Sequence, residues 1–188
     1  MTSMRHGSRS AAARVMLMGA VVVAGALACS RSVPRHKAVP EVTDIAATAR
    51  EASYSMSHLG AGIIQLSNGS YQDSAGGLAV HLIKSATGDL DGDGRSDAAV
   101  VLESETGGSG AFVDLFAVLD KPSGPLTRGP ASLGDRVKVD SMRVVDRAIK
   151  LHLLTHGPDD PLCCPTQHSV ETFLLRADSL FRRPSEQP

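Results

Sequence analysis

Aromatic residues are scarce in this chain of 188 residues. It contains no Trp, two Tyr and four Phe, so aromatic side chains make up only 3% of the sequence. Hydrophobic residues nevertheless reach 42%, and the core must therefore be built mainly from Val, Leu, Ile and Ala. The length suffices for one domain with its own core, and 18 Gly and 10 Pro favour a turn-rich β domain over a helical bundle.

An excess of positive charge is also missing. The formal net charge is −1, and removing the first 28 residues takes away three arginines and no acidic residue, which leaves about −4. Proteins that bind nucleic acid present a basic patch to the phosphates. The composition therefore predicts no nucleic-acid partner.

No apolar run in the sequence is long enough for an ordinary membrane-spanning helix. The longest, "VMLMGAVVVAGALA", covers 14 residues after a basic start, whereas a spanning helix needs about 20. These are the proportions of a signal peptide, so we expect residues 1–28 to form a signal-peptide helix that directs export. A membrane-spanning anchor is the alternative.

The junction "GALACS" places Cys29 directly after that run. It resembles the bacterial lipobox, although Ala26 stands where Leu is preferred. The resemblance implies cleavage before Cys29, lipidation of its sulfur and attachment to a membrane, and Ser30 is similar to the outer-membrane sorting residue. The expected location is the bacterial cell envelope, at the outer membrane and facing the periplasm or the cell surface. An ordinary secretory signal with a coincidental cysteine is the alternative.

Only three cysteines are present, and an exported chain with three would leave one unpaired. If Cys29 carries lipid, the adjacent Cys163 and Cys164 remain. Neighbouring Cα atoms lie about 3.8 Å apart, closer than the roughly 4.4–6.8 Å usual for a disulfide. A Cys163–Cys164 disulfide is therefore possible but strained. Free thiols, intermolecular bridges, and a redox or soft-metal site are the alternatives, the last with the nearby residues His152, His156 and His168.

The organisation of the chain follows from its periodicity. Residues 29–50 are polar and carry two prolines, which predicts a flexible tether, with a short helix in "TDIAATARE" capped by Thr43 or Asp44. Apolar alternation with period two predicts a β domain over residues 51–181, with an Asn68-Gly69 hairpin turn and a last strand in "HSVETFLLRA". Residues 182–188 read as a disordered tail. The predicted fold is mainly β, a single antiparallel β-sandwich or rolled meander.

One loop crowds four carboxylates into nine residues, in "GDLDGDGRSDAAVVL" at residues 88–102. The spacing puts Asp89, Asp91 and Asp93 at alternate positions, and Asp97 follows four residues later. Gly94 permits a sharp turn, and the carbonyl of Arg95 supplies a further oxygen. Such sets of hard oxygen ligands suit Ca²⁺ better than Mg²⁺, Zn²⁺ or Cu²⁺. The pattern therefore predicts a calcium site, and a solvated turn without an ion is the alternative.

The loop resembles the DxDxDGxxD loop of integrin-type (FG-GAP) propeller repeats, although it occurs once and not in the series that a propeller needs. It departs from an EF-hand because Val100 stands where a bidentate Glu is required. The ordered set "GDLDGDGRSDAAVVL", "GGSGAF", "LGDRV", "THGPDDP" and "CCPTQ" resembles uncharacterised bacterial envelope proteins. That resemblance implies one exported domain and carries over no catalytic residue.

The leading hypothesis is a non-enzymatic, calcium-stabilised envelope lipoprotein that binds a protein or glycan partner. An envelope hydrolase and a thiol-redox or metal-handling protein that uses Cys163 and Cys164 are the alternatives. Asp114 lies within an apolar strand, where it is either a buried functional carboxylate or, as we expect, a residue at an edge or facing solvent.

Overall fold

The computed structural model describes residues 44–73, 75 and 77–184. It contains one short α-helix, one 3₁₀ turn at Ser57–Leu59 and eleven β-strands. The helix α1 is Ile45–Ala49, and the strands are β1 (Ser53–Ser55), β2 (Ile63–Gln65), β3 (Ser70–Gln72), β4 (Ala79–Gly88), β5 (Asp97–Glu105), β6 (Ala111–Leu119), β7 (Leu126–Asp135), β8 (Lys138–Val145), β9 (Ala148–Thr155), β10 (Gln167–Arg176) and β11 (Ser179–Arg183).

The strands form three antiparallel sheets. A five-stranded sheet has the order β3-β4-β5-β6-β7, a four-stranded sheet has the order β11-β10-β9-β8, and β1 pairs with β2 in a short ribbon. The mainly β, antiparallel fold predicted from periodicity is therefore confirmed.

The five-stranded sheet buries both of its faces. Along β5, Ala98, Val100 and Leu102 face the ribbon-side core, which also contains residues of α1 and the β1–β2 ribbon. Ala99 and Val101 face the sheet-side core, which they share with apolar residues of β9 and β10. Because successive side chains point to opposite faces of a sheet, burial on both faces requires the continuous apolar run seen in this strand.

The helix α1 belongs to the β domain, which corrects the predicted extent of the tether. The Asp44 side chain caps the helix by accepting the amide N–H groups of Ala46 and Ala47 at 3.0 and 3.1 Å, as predicted for a cap at this position. Ile45 and Ala49 are buried in the ribbon-side core. Their apolar spacing places both on one face of the helix, so this segment packs and does not hang free. The rest of the predicted tether, residues 29–43, lies outside the described residues.

The Asn68-Gly69 turn forms, but not the hairpin predicted around it. Both residues have positive φ, 51° and 82°, as a tight two-residue turn requires. The turn closes only an isolated bridge between Ser67 and Ser70. The strands on its two sides then join different sheets, because β2 pairs with β1 and β3 pairs with β4.

Two strands were not predicted from the sequence. In β7, Gly129, Pro130 and Gly134 interrupt the apolar alternation, and its pairing with β6 shifts register twice. β7 lies at the edge of its sheet, so it pairs with one neighbouring strand only. Pro130 has no N–H group to donate, and an edge strand tolerates this because its outer side needs no partner. At the C-terminal end, β11 pairs with β10 and includes Arg182 and Arg183, so these two residues belong to a strand and not to the predicted tail. Residues 185–188 lie outside the described residues.

Two smaller predictions concern β8 and membrane spanning. The predicted bulge near residues 140–141 is confirmed by a register shift between Val139 and Ser141 in the pairing of β8 with β9. Among the described residues, no helix is long and apolar enough to cross a membrane. The predicted signal peptide, residues 1–28, and Cys29 lie outside the described residues.

Candidate metal centre

The aspartate loop, residues 89–97, connects two neighbouring strands of the five-stranded sheet. It leaves β4 after Gly88 and enters β5 at Asp97, and these two residues are direct partners in the antiparallel pairing. Gly94 has a φ of 83°, which fits the sharp turn predicted for it. Leu90 is only 1% exposed and packs into the sheet-side core. The loop is thus fixed at both ends and anchored in its middle.

Three of the predicted ligands converge at this loop. One carboxylate oxygen from each of Asp89, Asp91 and Asp97 lies within 4.8 Å of the others. Asp97 is fully buried, while Asp89 and Asp91 are partly exposed. This group could hold a metal ion, because three hard oxygen donors point to one small volume at the protein surface.

Backbone amides hold two of these carboxylates in place. Asp89 accepts the N–H of Gly92 at 2.6 Å and that of Gly94 at 3.0 Å, one at each oxygen. Asp97 likewise accepts the N–H groups of Leu90 at 2.8 Å and Asp120 at 2.9 Å. Each carboxylate oxygen has two lone-pair directions, so an oxygen that accepts one amide hydrogen can still face a cation.

Asp93, the third predicted side-chain ligand, lies outside this group. Its Oδ2 is 2.9 Å from Nζ of Lys121, and its Oδ1 accepts the N–H of Arg95 at 3.0 Å. The Lys121 ammonium group also contacts Oδ2 of Asp91. Lys121 therefore already supplies positive charge to the loop.

The Arg95 side chain points to a residue outside the loop. Its Nε is 3.1 Å from Oδ2 of Asp120, and its second guanidinium nitrogen is 2.8 Å from Oδ1. Asp120 is 3% exposed, so this two-point contact neutralises a buried carboxylate beside the loop. That the Arg95 carbonyl binds a cation stays a prediction.

Burial and neighbouring groups shift the pKa values of Asp97 and Asp93 in opposite directions. Burial is the main reason that the pKa of Asp97 is raised, and the nearby charges of Asp91 and Asp93 raise it further. The hydrogen bond from Lys121 is the main reason that the pKa of Asp93 is lowered. Hydrogen bonds to Asp91 and Asp93 in turn raise the pKa of Lys121. Burial thus disfavours the charged form of Asp97, whereas Lys121 favours the charged form of Asp93.

Three further residues of this site were not predicted from the sequence: Asp120, Lys121 and Arg147. Arg147 donates to the Asp91 carbonyl at 3.0 Å and lies against Gly92, where a Cβ atom would come within 2.7 Å of Cζ. A signal for two of them was present. Because β5 and β6 are apolar runs joined by "GGSG", their antiparallel pairing brings the end of β6, and so Asp120 and Lys121, beside the start of β5.

The cysteine loop does not contribute to this site. Cys163 and Cys164 are joined by a disulfide, one of the alternatives left open by the sequence, and both residues are exposed. Asp160 accepts the N–H groups of Gly157 at 2.9 Å and Thr166 at 2.7 Å. In the part of the chain that the structure describes, the only group of three acidic, His or Cys ligands is the aspartate group, so His152, His156 and His168 form no metal cluster with the sulfurs.

Asp114 is buried, which corrects the expectation that it faces solvent. It lies in β6, a central strand, and is 1% exposed. Its Oδ2 is 2.8 Å from Nε2 of His58, on the 3₁₀ turn, and its Oδ1 has no hydrogen-bond partner among the described residues. In the same described ranges, the one hydrogen bond of the His58 ring is the one to Asp114.

Comparisons of the chain with protein-family models, with curated proteins and with solved structures found no match. The likeness of its motifs to envelope proteins therefore stays a prediction, and its function has to be inferred from residues and geometry.

Proposed function

We propose that this protein is an exported, lipid-anchored β domain that is stabilised by Ca²⁺ and serves as a non-enzymatic binding or structural protein of the bacterial cell envelope. The observation that carries the proposal is the convergence of Asp89, Asp91 and Asp97 within 4.8 Å. The three carboxylates repel one another, and a divalent cation between them would turn that repulsion into attraction.

The donor chemistry of the loop favours Ca²⁺ over other common metals. All three converging ligands are carboxylate oxygens, whereas Zn²⁺ and Cu²⁺ favour nitrogen and sulfur ligands. The loop alternates glycines with aspartates and so tolerates the irregular, high-coordination shell of Ca²⁺, while Mg²⁺ requires a tight octahedron. The carbonyl of Arg95 and water complete the shell in this proposal.

Lys121 sets the expected affinity. Its ammonium group contacts Asp91 and Asp93, and a cation at the group must compete with it for Asp91. Because of this competition we expect weak binding, with a dissociation constant in the range of extracellular calcium sites, about 10⁻⁴–10⁻³ M. Such an affinity suits a structural ion outside the cytoplasm better than a sensor.

The envelope location is supported by the sequence. A basic start, a 14-residue apolar run and Cys29 precede the β domain. Several acyl chains on one cysteine hold a protein stably at a membrane, where one chain alone would be marginal. In this proposal residues 30–43 connect the anchor to the capped helix α1.

The calcium proposal is tested by thermal unfolding of the full chain in EDTA and in 10 mM CaCl₂. With a dissociation constant near 1 mM, Ca²⁺ stabilises the fold by about 1.4 kcal/mol, which corresponds to roughly 4 °C in a domain of this size. Asp91→Asn should abolish the shift, and Asp140→Asn, at an exposed carboxylate outside the loop, should retain it.

Asp93→Asn gives a sharper comparison within the same loop. Its side chain lies outside the converging group, so this variant should keep most of the calcium shift. Equal melting temperatures with and without CaCl₂ in the unsubstituted chain would show that the loop is only a hydrogen-bonded turn. Equal shifts from CaCl₂ and MgCl₂ would show that the metal is not specific.

The anchor is tested separately by Cys29→Ser. The substitution should move the protein from the membrane to the soluble fraction of a bacterial cell, without changing its calcium shift. Retention at the membrane would contradict lipidation at Cys29.

A further inference from the structure

A cavity of about 290 Å³ lies next to the aspartate loop, on the side of the four-stranded sheet. It is formed where the β8–β9 turn and the end of β10 meet the loop, and it is lined by Leu90, Asp146, Arg147, Leu174, Leu175 and Arg176. A second hollow of about 150 Å³ shares two of these residues, Leu174 and Arg176, and is bounded further by β11 and Pro184. The two hollows are therefore neighbours with a common wall.

Arg176 supplies an exposed positive charge to that wall. It is exposed, and within residues 44–73, 75 and 77–184 no hydrogen bond or ion pair to its guanidinium group is formed. Arg147 lines the first hollow too, but one of its nitrogens is committed to the carbonyl of Asp91. Asp146 is the single acidic residue at the rim. The residues that line the cavity thus carry one net positive charge, from Arg147 and Arg176 against Asp146.

The floor of the cavity is apolar. Leu90 is buried in the sheet-side core, and Leu175 packs against the same core. Leu174 is partly buried and lies between the two hollows. Phe181 adds an exposed aromatic ring to the second hollow. A pocket with apolar walls and a few charged groups orients a ligand that has both an apolar part and a charged part.

We propose that this cavity binds a small amphiphilic anion, a phosphate or carboxylate head on a short apolar chain. The planar guanidinium group of Arg176 presents paired N–H donors that match the oxygens of such a head. The leucines then take the chain, which gains by leaving water. The proposal stands apart from calcium binding, because none of its ligand contacts involves the carboxylates of the aspartate loop.

The test is calorimetric titration of the full chain with hexyl phosphate, with inorganic phosphate and with hexyltrimethylammonium. Hexyl phosphate should bind about tenfold more tightly than inorganic phosphate, because only the former removes apolar surface from water. The cationic amphiphile should not bind. Titrations are made in EDTA, so that failure of the calcium proposal leaves the result unaffected.

Two charge-changing variants and one matched control locate the site. Arg176→Gln should weaken hexyl phosphate binding about tenfold, the value of one charge-assisted hydrogen bond. Asp146→Asn should strengthen it about twofold by removing a like charge from the rim. Arg143→Gln removes an exposed arginine of β8 that lines neither hollow, and it should leave the affinity unchanged. All three substitutions are at exposed positions, so their melting temperatures should match that of the unsubstituted chain.

Vesicles distinguish a free ligand from a lipid. If Arg176→Gln also lowers binding to phosphatidylglycerol vesicles but not to phosphatidylcholine vesicles, the anion is a lipid headgroup; if vesicle binding is unchanged, it is a free molecule. The proposal is overturned if hexyl phosphate binds no better than inorganic phosphate. Equal losses of affinity in Arg176→Gln and Arg143→Gln would overturn it as well, since binding would then reflect net charge alone.

Discussion

The aspartate loop and the interior of β6 place carboxylates near the core in contrasting ways. In the loop, Asp89 and Asp97 each accept two backbone N–H groups, and Leu90 fixes the turn in the sheet-side core. In β6, the carboxylate of Asp114 is 1% exposed and has His58 as its single partner, with one oxygen left without a hydrogen bond in the described part of the chain. Asp89 and Asp97 accept hydrogen bonds mostly from nearby backbone, whereas Asp114 has one hydrogen bond, to a side chain distant in sequence.

The difference shows where a buried charge makes a fold vulnerable. Three of the four amides that serve Asp89 and Asp97 come from the loop itself, so they are in place whenever the loop forms. Asp114 and His58 are 56 residues apart, and they meet only when the 3₁₀ turn packs on the five-stranded sheet. Removing the partner of a buried carboxylate costs far more than loosening an exposed ion pair.

The largest effect is therefore expected at His58. His58→Ala leaves Asp114 without a partner and should lower the free energy of unfolding by about 3 kcal/mol, measured by urea unfolding. Asp114→Asn in the His58→Ala background should recover more than half of that loss, because a neutral amide is easier to bury than a carboxylate. His81→Ala, at an exposed histidine of β4, is the matched control and should cost less than about 0.5 kcal/mol. Simple additivity of the two single substitutions would show that Asp114 and His58 do not depend on each other.

The same contrast explains which parts of the fold followed from the sequence. Period-two alternation and unbroken apolar runs identified β4, β5, β6, β8, β9 and β10, because apolar side chains of those strands pack against the two cores. The same criterion missed β7, where two glycines and a proline interrupt the alternation, and β11, a five-residue edge strand without a buried residue. Periodicity also did not predict which strands pair with β2 and β3, because the pairing of three-residue strands depends on the surrounding sheets.

For the site, local spacing predicted what the local chain determines. Spacing along nine residues predicted four side-chain ligands, and the structure brings three of them together, Asp89, Asp91 and Asp97. The fourth, Asp93, contacts Lys121 instead. Lys121 and Arg147 come from other turns, and only the pairing of strands brings them to the loop. Asp114 was misplaced for the same reason: the sequence around it does not reveal a histidine 56 residues earlier.

The next largest effect is expected at Lys121, which follows β6 and contacts Asp91 and Asp93 of the loop. Lys121→Gln should lower the free energy of unfolding in EDTA by about 0.5–1 kcal/mol, a modest value because both Lys121 and Asp93 are partly exposed. If a cation competes with Lys121 for Asp91, the increase in melting temperature on adding CaCl₂ should be larger in this variant than in the unsubstituted chain. Lys138→Gln, at an exposed lysine of β8, should show neither change. An unchanged calcium shift in Lys121→Gln would show that Ca²⁺ and the Lys121 ammonium group do not compete for Asp91.

A smaller effect should appear in the pH dependence of Glu171, which resembles Asp114 in having one side-chain partner. Burial raises the pKa of Glu171, and Arg182, 3.2 Å away, offsets part of this. The native state therefore holds the proton more tightly than the unfolded state. The resulting stability is fully present below the ordinary value of 4.5 and is lost as pH rises through the higher folded pKa. Glu171→Gln should remove this decline, measured by urea unfolding at a series of pH values above 4.5. A parallel decline in variant and parent would contradict it.

The smallest effect is expected at Asp160, which resembles Asp89 of the aspartate loop because its hydrogen-bond donors come from its own turn. The N–H of Gly157 is the main reason that its pKa is lowered, and the hydroxyl and amide of Thr166 add to the shift. Its contribution to stability is present above the ordinary value of 3.8 and is lost as pH falls through the lower folded pKa. Asp160→Asn should therefore flatten the acid side of the stability profile, whereas Asp159→Asn, at the exposed neighbouring carboxylate, should leave it intact. Equal flattening in both variants would show that removing any negative charge from this turn changes the acid side of the stability profile. The backbone donors, which distinguish a locally satisfied carboxylate from Asp114, would then contribute nothing measurable.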